Sequence, residues 1–338
     1  MLIEERSENG LRKAEGTGGE VNQMRLLVTG GAGFIGSNFV QYILEKYSDY
    51  EILNLDALTY AGSLENLKGT MDNPRHRFVQ GSIEDGKLVD ELMEGIDAVI
   101  NFAAESHVDR SIVEPQVFIK TNVLGTQVLL DAALRHKVKL FYQISTDEVY
   151  GALKLDSKEK FTEESPLRPN SPYAASKASA DLLVRAYHRT YGLPVVISRC
   201  TNNYGPRQHP EKFIPTVIFN ALRDKPIPIY GDGLYVRDWI HVLDHCQSVD
   251  LILHQGKVGE VYNIGGDNEW ANIDLARKIL QITGKPEDLL QSVPDRPGHD
   301  RRYALSSDKL KRELDWKPSI SFDDGLIETV RWYSEIGK

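Results

Sequence analysis

Apolar residues along the chain fall into short aliphatic runs, separated by longer stretches where they recur every three to four positions. The runs lie at 25–28, 51–55, 77–79, 98–102, 140–144 and 195–198. Helical spacing marks 34–46, and the two longest such stretches are 117–136 and 173–191. Runs that are continuously apolar rather than alternating suit strands buried on both faces. Their regular alternation with helical stretches predicts an α/β chain built on a doubly wound parallel sheet.

Beyond about Cys200 the alternation weakens. Asn203-Tyr204-Gly205-Pro206, prolines at 210, 215, 226 and 228, and Gly231-Asp232-Gly233 punctuate shorter elements there. The expected division is a doubly wound domain over 24–200 and a smaller covering domain over 201–338, with some segments of the second returning to the first. Residues 1–23 are polar and charged, without the basic start and long apolar run of a secretion signal. They are expected to form a disordered extension, with Met24 as the functional start. No stretch is expected to approach the length of a membrane-spanning helix.

The 338 residues are 41% hydrophobic and 26% charged, ordinary for a globular protein. A formal net charge of −9 argues against a nucleic-acid partner, which needs a broad basic face. It leaves room for an anionic small molecule held by a few arginines. Cys200 and Cys246 have no metal-type spacing. They read as free thiols in a reducing compartment, so a cytoplasmic location is expected.

Thr29-Gly30-Gly31-Ala32-Gly33-Phe34-Ile35-Gly36 joins the first strand to the first helix. Glycines there let backbone amides and the helix dipole meet a dinucleotide pyrophosphate, the signature of a Rossmann-type sheet. Asp56 closes the next strand 20 positions after Gly36. A carboxylate there accepts ribose hydroxyls and repels a 2′-phosphate, which favours NAD over NADP.

The pattern Tyr-x-x-x-Lys occurs three times, at Tyr42/Lys46, Tyr150/Lys154 and Tyr173/Lys177. Spacing alone therefore selects nothing, since such partners are common on solvated helices. Tyr42 lies late on its helix and Tyr150 sits beside Gly151 in an expected loop. Tyr173 follows Ser171-Pro172 at the start of a long helix, a good helix-opening signal. The Lys177 ammonium and a positive nicotinamide are expected to lower its phenol from about 10 toward neutrality.

Ser145-Thr146-Asp147-Glu148 ends the run 140–144, at the carboxyl edge where open parallel sheets bind ligands. An isolated Asp-Glu is usually a solvated turn. In a partly dry site the two can split, one protonated as acid and one ionised as base. Lys212, Arg237, Asn202, Asn272 and the run Asp295-Arg296-Pro297-Gly298-His299-Asp300-Arg301 form a dispersed set able to grip a nucleotide diphosphate. His241 and His245 suggest a metal site by spacing. No third ligand accompanies them, so the segment reads as a buried or capping helix start, and no metal is expected.

Together these motifs resemble the extended short-chain dehydrogenase/reductase superfamily and, within it, the dTDP-glucose 4,6-dehydratase family. The likeness runs from about Met24 to Tyr333. Its discriminating marks are Thr146-Asp147-Glu148 and Ala103-Ala104-Glu105-Ser106-His107-Val108-Asp109-Arg110-Ser111. The resemblance implies an NAD-binding Rossmann domain at 24–200 and a mainly substrate-binding domain at 201–338.

It also implies an activity. Tyr173 takes the 4-hydroxyl proton of the sugar as NAD oxidises C4, and Glu148 removes the C5 proton. Asp147 protonates the departing C6 hydroxyl, and C6 is reduced by the NADH formed. The product is a 4-keto-6-deoxy sugar for deoxysugar synthesis, with rhamnose the common destination. Lys177 holds the ribose and tunes Tyr173, while Thr146 orients the 4-hydroxyl.

Implied NAD contacts are Gly30, Gly33, Phe34, Ile35 and Gly36, then Asp56, Ala57, Leu58 and Thr59. Ser82, Ile83, Phe102, Ala103, Ala104, Glu105, Ser106, Thr121, Tyr173, Lys177 and Asn203 complete them. Implied substrate contacts are Ser106, Thr146, Asn202, Lys212, Phe213, Pro228, Ile229, Tyr230, Arg237 and Asn272, with Asp295, Arg296, Pro297, Gly298 and His299. Ser82-Ile83 departs from the family's Asp-Ile pair at the adenine, and serine is a weaker acceptor. The resemblance further implies a homodimer joined through 117–136 and 173–191 as a helix bundle. A UDP-sugar 4-epimerase or UDP-glucuronate decarboxylase shares the glycine turn and Tyr/Lys pair but needs no Asp147/Glu148 pair. A non-catalytic NAD-sensing scaffold has little use for either pair.

Overall fold

The structure, a computed structural model, describes residues 24–336; the expectation for 1–23 lies outside them. Six aliphatic segments predicted as strands all form: β1 (Arg25–Thr29), β2 (Glu51–Asp56), β3 (His76–Gln80), β4 (Ala98–Asn101), β5 (Leu140–Thr146) and β6 (Val195–Cys200). They lie parallel in one seven-stranded sheet. The remaining strands are β7 (Asn202–Tyr204), β8 (Ile227–Tyr230), β9 (Val236–His241), β10 (Val261–Ile264), β11 (Glu269–Ala271) and β12 (Leu290–Val293). The large sheet runs β10-β6-β5-β4-β1-β2-β3, so strand order reverses between β1 and β4. Crevices outside the strand ends at such a reversal are where doubly wound sheets take ligands.

The helices in chain order are α1 (Phe34–Lys46), α2 (Gly86–Leu92), α3 (Val108–Val113), α4 (Pro115–Phe118), α5 (Thr126–Arg135), α6 (Pro172–Tyr191), α7 (Phe213–Leu222), α8 (Val242–Gln255), α9 (Asn272–Thr283), α10 (Asp308–Leu314) and α11 (Phe322–Ile336). One face of the large sheet packs on α1 and α8 through Phe39, Val40, Ile43, Val249 and Ile252. The other face packs on α2, α5 and α6 through Val89, Leu92, Leu129, Ala133 and Val184. A separate core of α7, α9, α11 and β8, including Ile218, Ile227, Ile279 and Leu326, lies outside both. After Cys200 the chain crosses back: β10 pairs with β6 and extends the large sheet. The sheet β11-β9-β7 and the pair β12-β8 hold the intervening strands.

The stretch 117–136, expected as one regular helix, is broken by a wider π-helical turn at Ile119–Gly125 between α4 and α5. Asn122 lies within this turn and is buried. Its side chain turns inward, accepting from the Glu105 amide at 2.8 Å and donating to the Glu105 carbonyl at 3.0 Å and Ser176 Oγ at 2.8 Å. The Thr126 hydroxyl in turn donates to the Asn122 carbonyl at 2.7 Å. π-Helical turns occur frequently beside functional sites.

Another expectation is corrected on the same rod. Pro115–Arg135 is 21 residues long and apolar enough by composition to cross a bilayer. It packs beside α6, with 44% of its most apolar window buried. Among the described residues, Cys200 and Cys246 are free and buried.

Candidate active site

Gly30 adopts φ of +72° as the chain leaves β1. A Cβ there would lie 2.6 Å from the Ala103 amide nitrogen, so β1 and the chain after β4 touch through backbone. Gly36 is equally constrained, since its Cβ would come 2.3 Å from the Gly30 carbonyl. Gly33 caps α1 without a side-chain hydrogen bond, leaving helix-terminal amides open to an anion. Beneath this turn Thr29, Asn101 and Gln143 form a buried polar rung across β1, β4 and β5, with bonds of 2.6 and 2.8 Å.

Asp56 sits at the end of β2, accepting from the Ala32 amide at 2.9 Å and the Leu58 amide at 2.8 Å. Burial raises its carboxyl and those backbone bonds oppose the rise. Leu58 takes a left-handed φ of 52° to make its bond. It serves the site through backbone rather than by lining it.

A cleft of about 340 Å³ opens over these strand ends. Gly30, Gly33, Phe34, Ile35, Gly36, Asp56, Ala57 and Thr59 line it from the first half of the sheet. Ser82, Ile83, Phe102, Ala103, Ala104, Glu105, Ser106 and Thr121 continue the wall. Thr146, Asp147, Glu148, Tyr173, Lys177, Asn202, Asn203 and Lys212 complete it. The expected cofactor residues thus share one cavity with the expected catalytic ones. The residues fit a dinucleotide: glycines where any Cβ would close the turn, free amides at a helix start, and a carboxylate ending β2. Ser82 Oγ accepts from the Glu84 amide at 3.1 Å, so the serine first serves its own turn.

Asp147 and Glu148 begin a 3-10 helix, Asp147–Tyr150, at the end of β5. The Thr146 hydroxyl caps it, accepting from the Glu148 amide at 3.3 Å and donating to Asp147 Oδ1 at 3.2 Å. Asp147 Oδ2 is buried with no partner. Burial first, and the Glu148 charge second, push the Asp147 carboxyl up to about 8. Glu148 is also raised by burial, but Arg296, Arg237 and Lys212 work against the rise. The two carboxyls therefore sit in different electrostatic settings. Three cations from distant segments oppose the rise of Glu148, while the Glu148 charge adds to burial in raising Asp147.

Lys177 Nζ donates to the Ile144 carbonyl at 2.7 Å, clamping α6 to β5. Tyr173 lies one turn before Lys177 on α6. Burial, then the charges of Glu148 and Cys200, raise its phenol well above the ordinary value, and the Thr146 hydroxyl is the one opposing group of note. The Lys177 ammonium is engaged with Ile144 and is not among the strongest influences on the phenol. The protein's own groups thus favour the protonated phenol, and the expected lowering toward neutrality is left to the positive nicotinamide.

The other two Tyr/Lys pairs have structural employment. Tyr42 and Lys46 both bond the buried Asp250, at 3.2 and 2.5 Å, tying α1 to α8. Tyr150, expected in a loop, lies in the 3-10 helix and donates to Asn263 Oδ1 at 2.8 Å. His241 caps α8, accepting from the Leu243 amide, and His245 bonds Asn203 Oδ1 at 2.8 Å.

The expected substrate residues divide. Lys212 reaches the Ser106 carbonyl at 2.9 Å, closing one end of the cleft. Arg237 is pinned by the Val236 and Asp300 carbonyls and stacks on Tyr303. Arg296 pairs with Asp109 at 2.9 Å, and Tyr230 meets the same carboxylate at 3.3 Å. His299 stacks on Tyr235 at 3.7 Å and bonds Asp295 at 2.7 Å. Ser106, Thr146, Asn202 and Lys212 line the cleft, whereas Phe213, Pro228, Ile229, Tyr230, Arg237, Asn272, Asp295, Arg296, Pro297, Gly298 and His299 lie outside its lining. Ile229 turns its side chain into the outer core, so only its backbone is available to a ligand. Arg301 is spent on Asp232 with two bonds of 2.9 Å.

The cleft also holds Glu84, Cys200, Thr201, Gln208 and His209, which sequence reasoning passed over. None sits in a recognisable motif. Asn122 left the one usable signal, an amide inside an apolar helical stretch.

Residues 27–329 match the family model described as GDP-mannose 4,6 dehydratase, and the chain belongs to that family of nucleotide-sugar dehydratases. It is 54% identical to the low-salt glycan biosynthesis protein Agl12 of Haloferax volcanii, covering 92% of this chain and 98% of that one. It is 51% identical to a dTDP-glucose 4,6-dehydratase of Streptomyces niveus, covering 92% and 93%. Among solved structures, the dTDP-glucose 4,6-dehydratase DesIV of Streptomyces venezuelae, crystallised with NAD, superimposes with a TM-score of 0.90. The two are 52% identical over 92% of this chain and 97% of DesIV.

The glycine turn yields a direct expectation. Gly36→Ala places a methyl group against the Gly30 carbonyl. The strain of about 1–3 kcal/mol should weaken NAD binding roughly ten- to hundredfold in calorimetric titration, with the fold retained.

Proposed function

We propose that the chain is a dTDP-glucose 4,6-dehydratase, converting dTDP-glucose to dTDP-4-keto-6-deoxyglucose. One observation carries the reading: two carboxyls of opposed electrostatic setting, Asp147 and Glu148, share a cavity with Tyr173 and the glycine turn. Gly30, Gly33, Gly36, Asp56 and Lys177 hold the dinucleotide. NAD bound there supplies a hydride acceptor for C4, a hydride donor for C6, and in its oxidised form a positive ring that favours the Tyr173 phenolate.

The chain's own groups move the protons. Tyr173 accepts the 4-hydroxyl proton, and Thr146, beside it, orients that hydroxyl. Oxidation at C4 acidifies the C5 proton, which Glu148 abstracts as a carboxylate stabilised by Arg296, Arg237 and Lys212. Asp147 gives its proton to the C6 hydroxyl, which leaves as water. Lys212, Arg237 and Arg296, arriving from three segments, also suit the substrate's diphosphate. An epimerase or a decarboxylase needs neither the C5 base nor the C6 acid, which this site supplies together.

The molecule acts in the cytoplasm as a homodimer. The location is supported by two thiols that remain free. The assembly is supported by apolar side chains left outside on the two long helical stretches: Ile119 is 51%, Leu124 48% and Leu182 57% exposed. Leu182→Glu should convert the dimer to monomer in size-exclusion chromatography with light scattering. An unchanged mass would move the interface elsewhere.

Mass spectrometry after incubation with dTDP-glucose should show loss of one water without net NADH formation. An unchanged substrate mass would retire the assignment, and loss of carbon dioxide from UDP-glucuronate would redirect it to a decarboxylase. The elimination should also weaken above about pH 8. Asp147 works as an acid only while protonated, and each pH unit beyond its raised value removes about nine-tenths of the protonated form. A rate flat to pH 10 would assign the acid elsewhere.

A further inference from the structure

At the end of the cleft closed by Ser106 and Lys212, one carboxylate bridges the two layers of the fold without a part in the reaction scheme. Asp109 stands in the first turn of α3, three positions after Ser106, which lines the cleft. Its Oδ1 accepts from Arg296 Nη1 at 2.9 Å, and its Oδ2 accepts from the Tyr230 hydroxyl at 3.3 Å. Tyr230 ends β8 and Arg296 follows β12, the strand paired with β8, so both partners belong to the outer layer. Arg110, the cation beside Asp109 on its own helix, is directed elsewhere: it pairs with Glu105 and Glu114 and lies over the Tyr60 ring. Both oxygens of Asp109 are thus committed across the layers.

Arg296 is fixed at both ends. Its backbone amide donates to Asp295 Oδ1 at 2.9 Å, and that carboxylate is also bonded by His299 at 2.7 Å and by Tyr235. Its tip is held by Asp109 through Nη1 alone. A guanidinium grips two oxygens side-on through the edge of Nε and Nη2, and a bond at Nη1 leaves that edge open. Arg296 Nε is buried and has no hydrogen-bond partner. A buried donor left without an acceptor is costly, and an anionic oxygen arriving at that edge removes the cost. A second cation stands close by. Burial lowers the Lys212 ammonium, the Arg296 charge adds to the fall, and Glu211, Glu148 and Asp109 oppose it, so Lys212 feels both members of the ion pair.

We propose that Asp109 is a positioning residue for the substrate's diphosphate: its hold on Arg296 Nη1 and on the Tyr230 hydroxyl keeps the Nε–Nη2 edge of the guanidinium set for two phosphate oxygens beside Lys212. This rests on the reading of the chain as acting on a nucleoside diphosphate sugar.

The test separates the phosphates from the base. Affinity of the NAD-loaded protein for dTDP and for thymidine is measured by calorimetry in the wild type, Asp109→Asn, Asp109→Ala, Arg296→Lys and the double variant Asp109→Ala/Arg296→Lys. Asp109→Ala should weaken dTDP binding about tenfold, the worth of one charge-assisted hydrogen bond. Asp109→Asn keeps one acceptor oxygen and should fall between that variant and the wild type. Arg296→Lys lacks the planar fork and should lose at least as much as Asp109→Ala. Adding Asp109→Ala to Arg296→Lys should cost little further, because the carboxylate acts through the fork that lysine lacks. Thymidine affinity should be unaltered throughout, a result that general loosening of the loop around Arg296 would not give. The Asp109 side chain is 38% exposed, so its variants should fold and bind NAD as the wild type does. Equal or tighter dTDP binding in Asp109→Ala, fully additive losses in the double variant, or a loss shared equally by thymidine would each overturn the proposal. A wild type that does not bind dTDP would take the dehydratase reading down with it, whereas a wild type that binds dTDP no better than its Asp109 variants sinks this inference alone.

Discussion

Desolvation at the carboxyl edge of the sheet is the constraint on which the rest of the structure depends. Asp147, Tyr173 and Lys177 are all withdrawn from water over the end of β5, and each resists ionisation for that reason. A site made only of these groups would be neutral and inert. The fold answers with charges placed individually: three cations around Glu148, and backbone acceptors and donors at fixed points. The Lys177 bond to the Ile144 carbonyl shows the economy of the arrangement, since one hydrogen bond both satisfies a buried ammonium and locks α6 onto β5.

The sheet makes that placement possible. Reversal of strand order between β1 and β4 opens the crevice, and the backbone contact of Gly30 with Ala103 sets its floor. Asn122, in the π-helical turn of the neighbouring helix, joins the chain after β4 to Ser176 on α6, beside Lys177. Elements carrying the dinucleotide turn and the acid-base residues are thereby held in one rigid frame. The cations come from elsewhere, on the chain between β7 and α10, which folds over the cleft as a separate layer.

Much of this was legible in the sequence because it is local. Aliphatic runs, the glycine turn and Ser171-Pro172 each specify their own conformation, and α1 forms over the residues its spacing predicts. Strand ends were less legible: β5 and β6 extend two residues past their apolar runs because Ser145 and Thr146 pair with Arg199 and Cys200. Only the register between strands creates that extension. The rise of the Tyr173 phenol in the protein's own field was illegible for the same kind of reason. An adjacent lysine is visible in the sequence, whereas burial and the commitment of that lysine to Ile144 are not. Likewise Tyr42/Lys46 resembles a catalytic pair until Asp250, more than 200 positions away, is seen to hold both.

The central claim is that one cavity removes a hydride from C4, expels water across C5 and C6, and returns the same hydride to C6. Substrate deuterated at C4 tests it most directly, with the product examined by NMR and mass spectrometry. The account predicts deuterium at C6 of the same product molecule. Deuterium lost to solvent, or retained at C4, would contradict it.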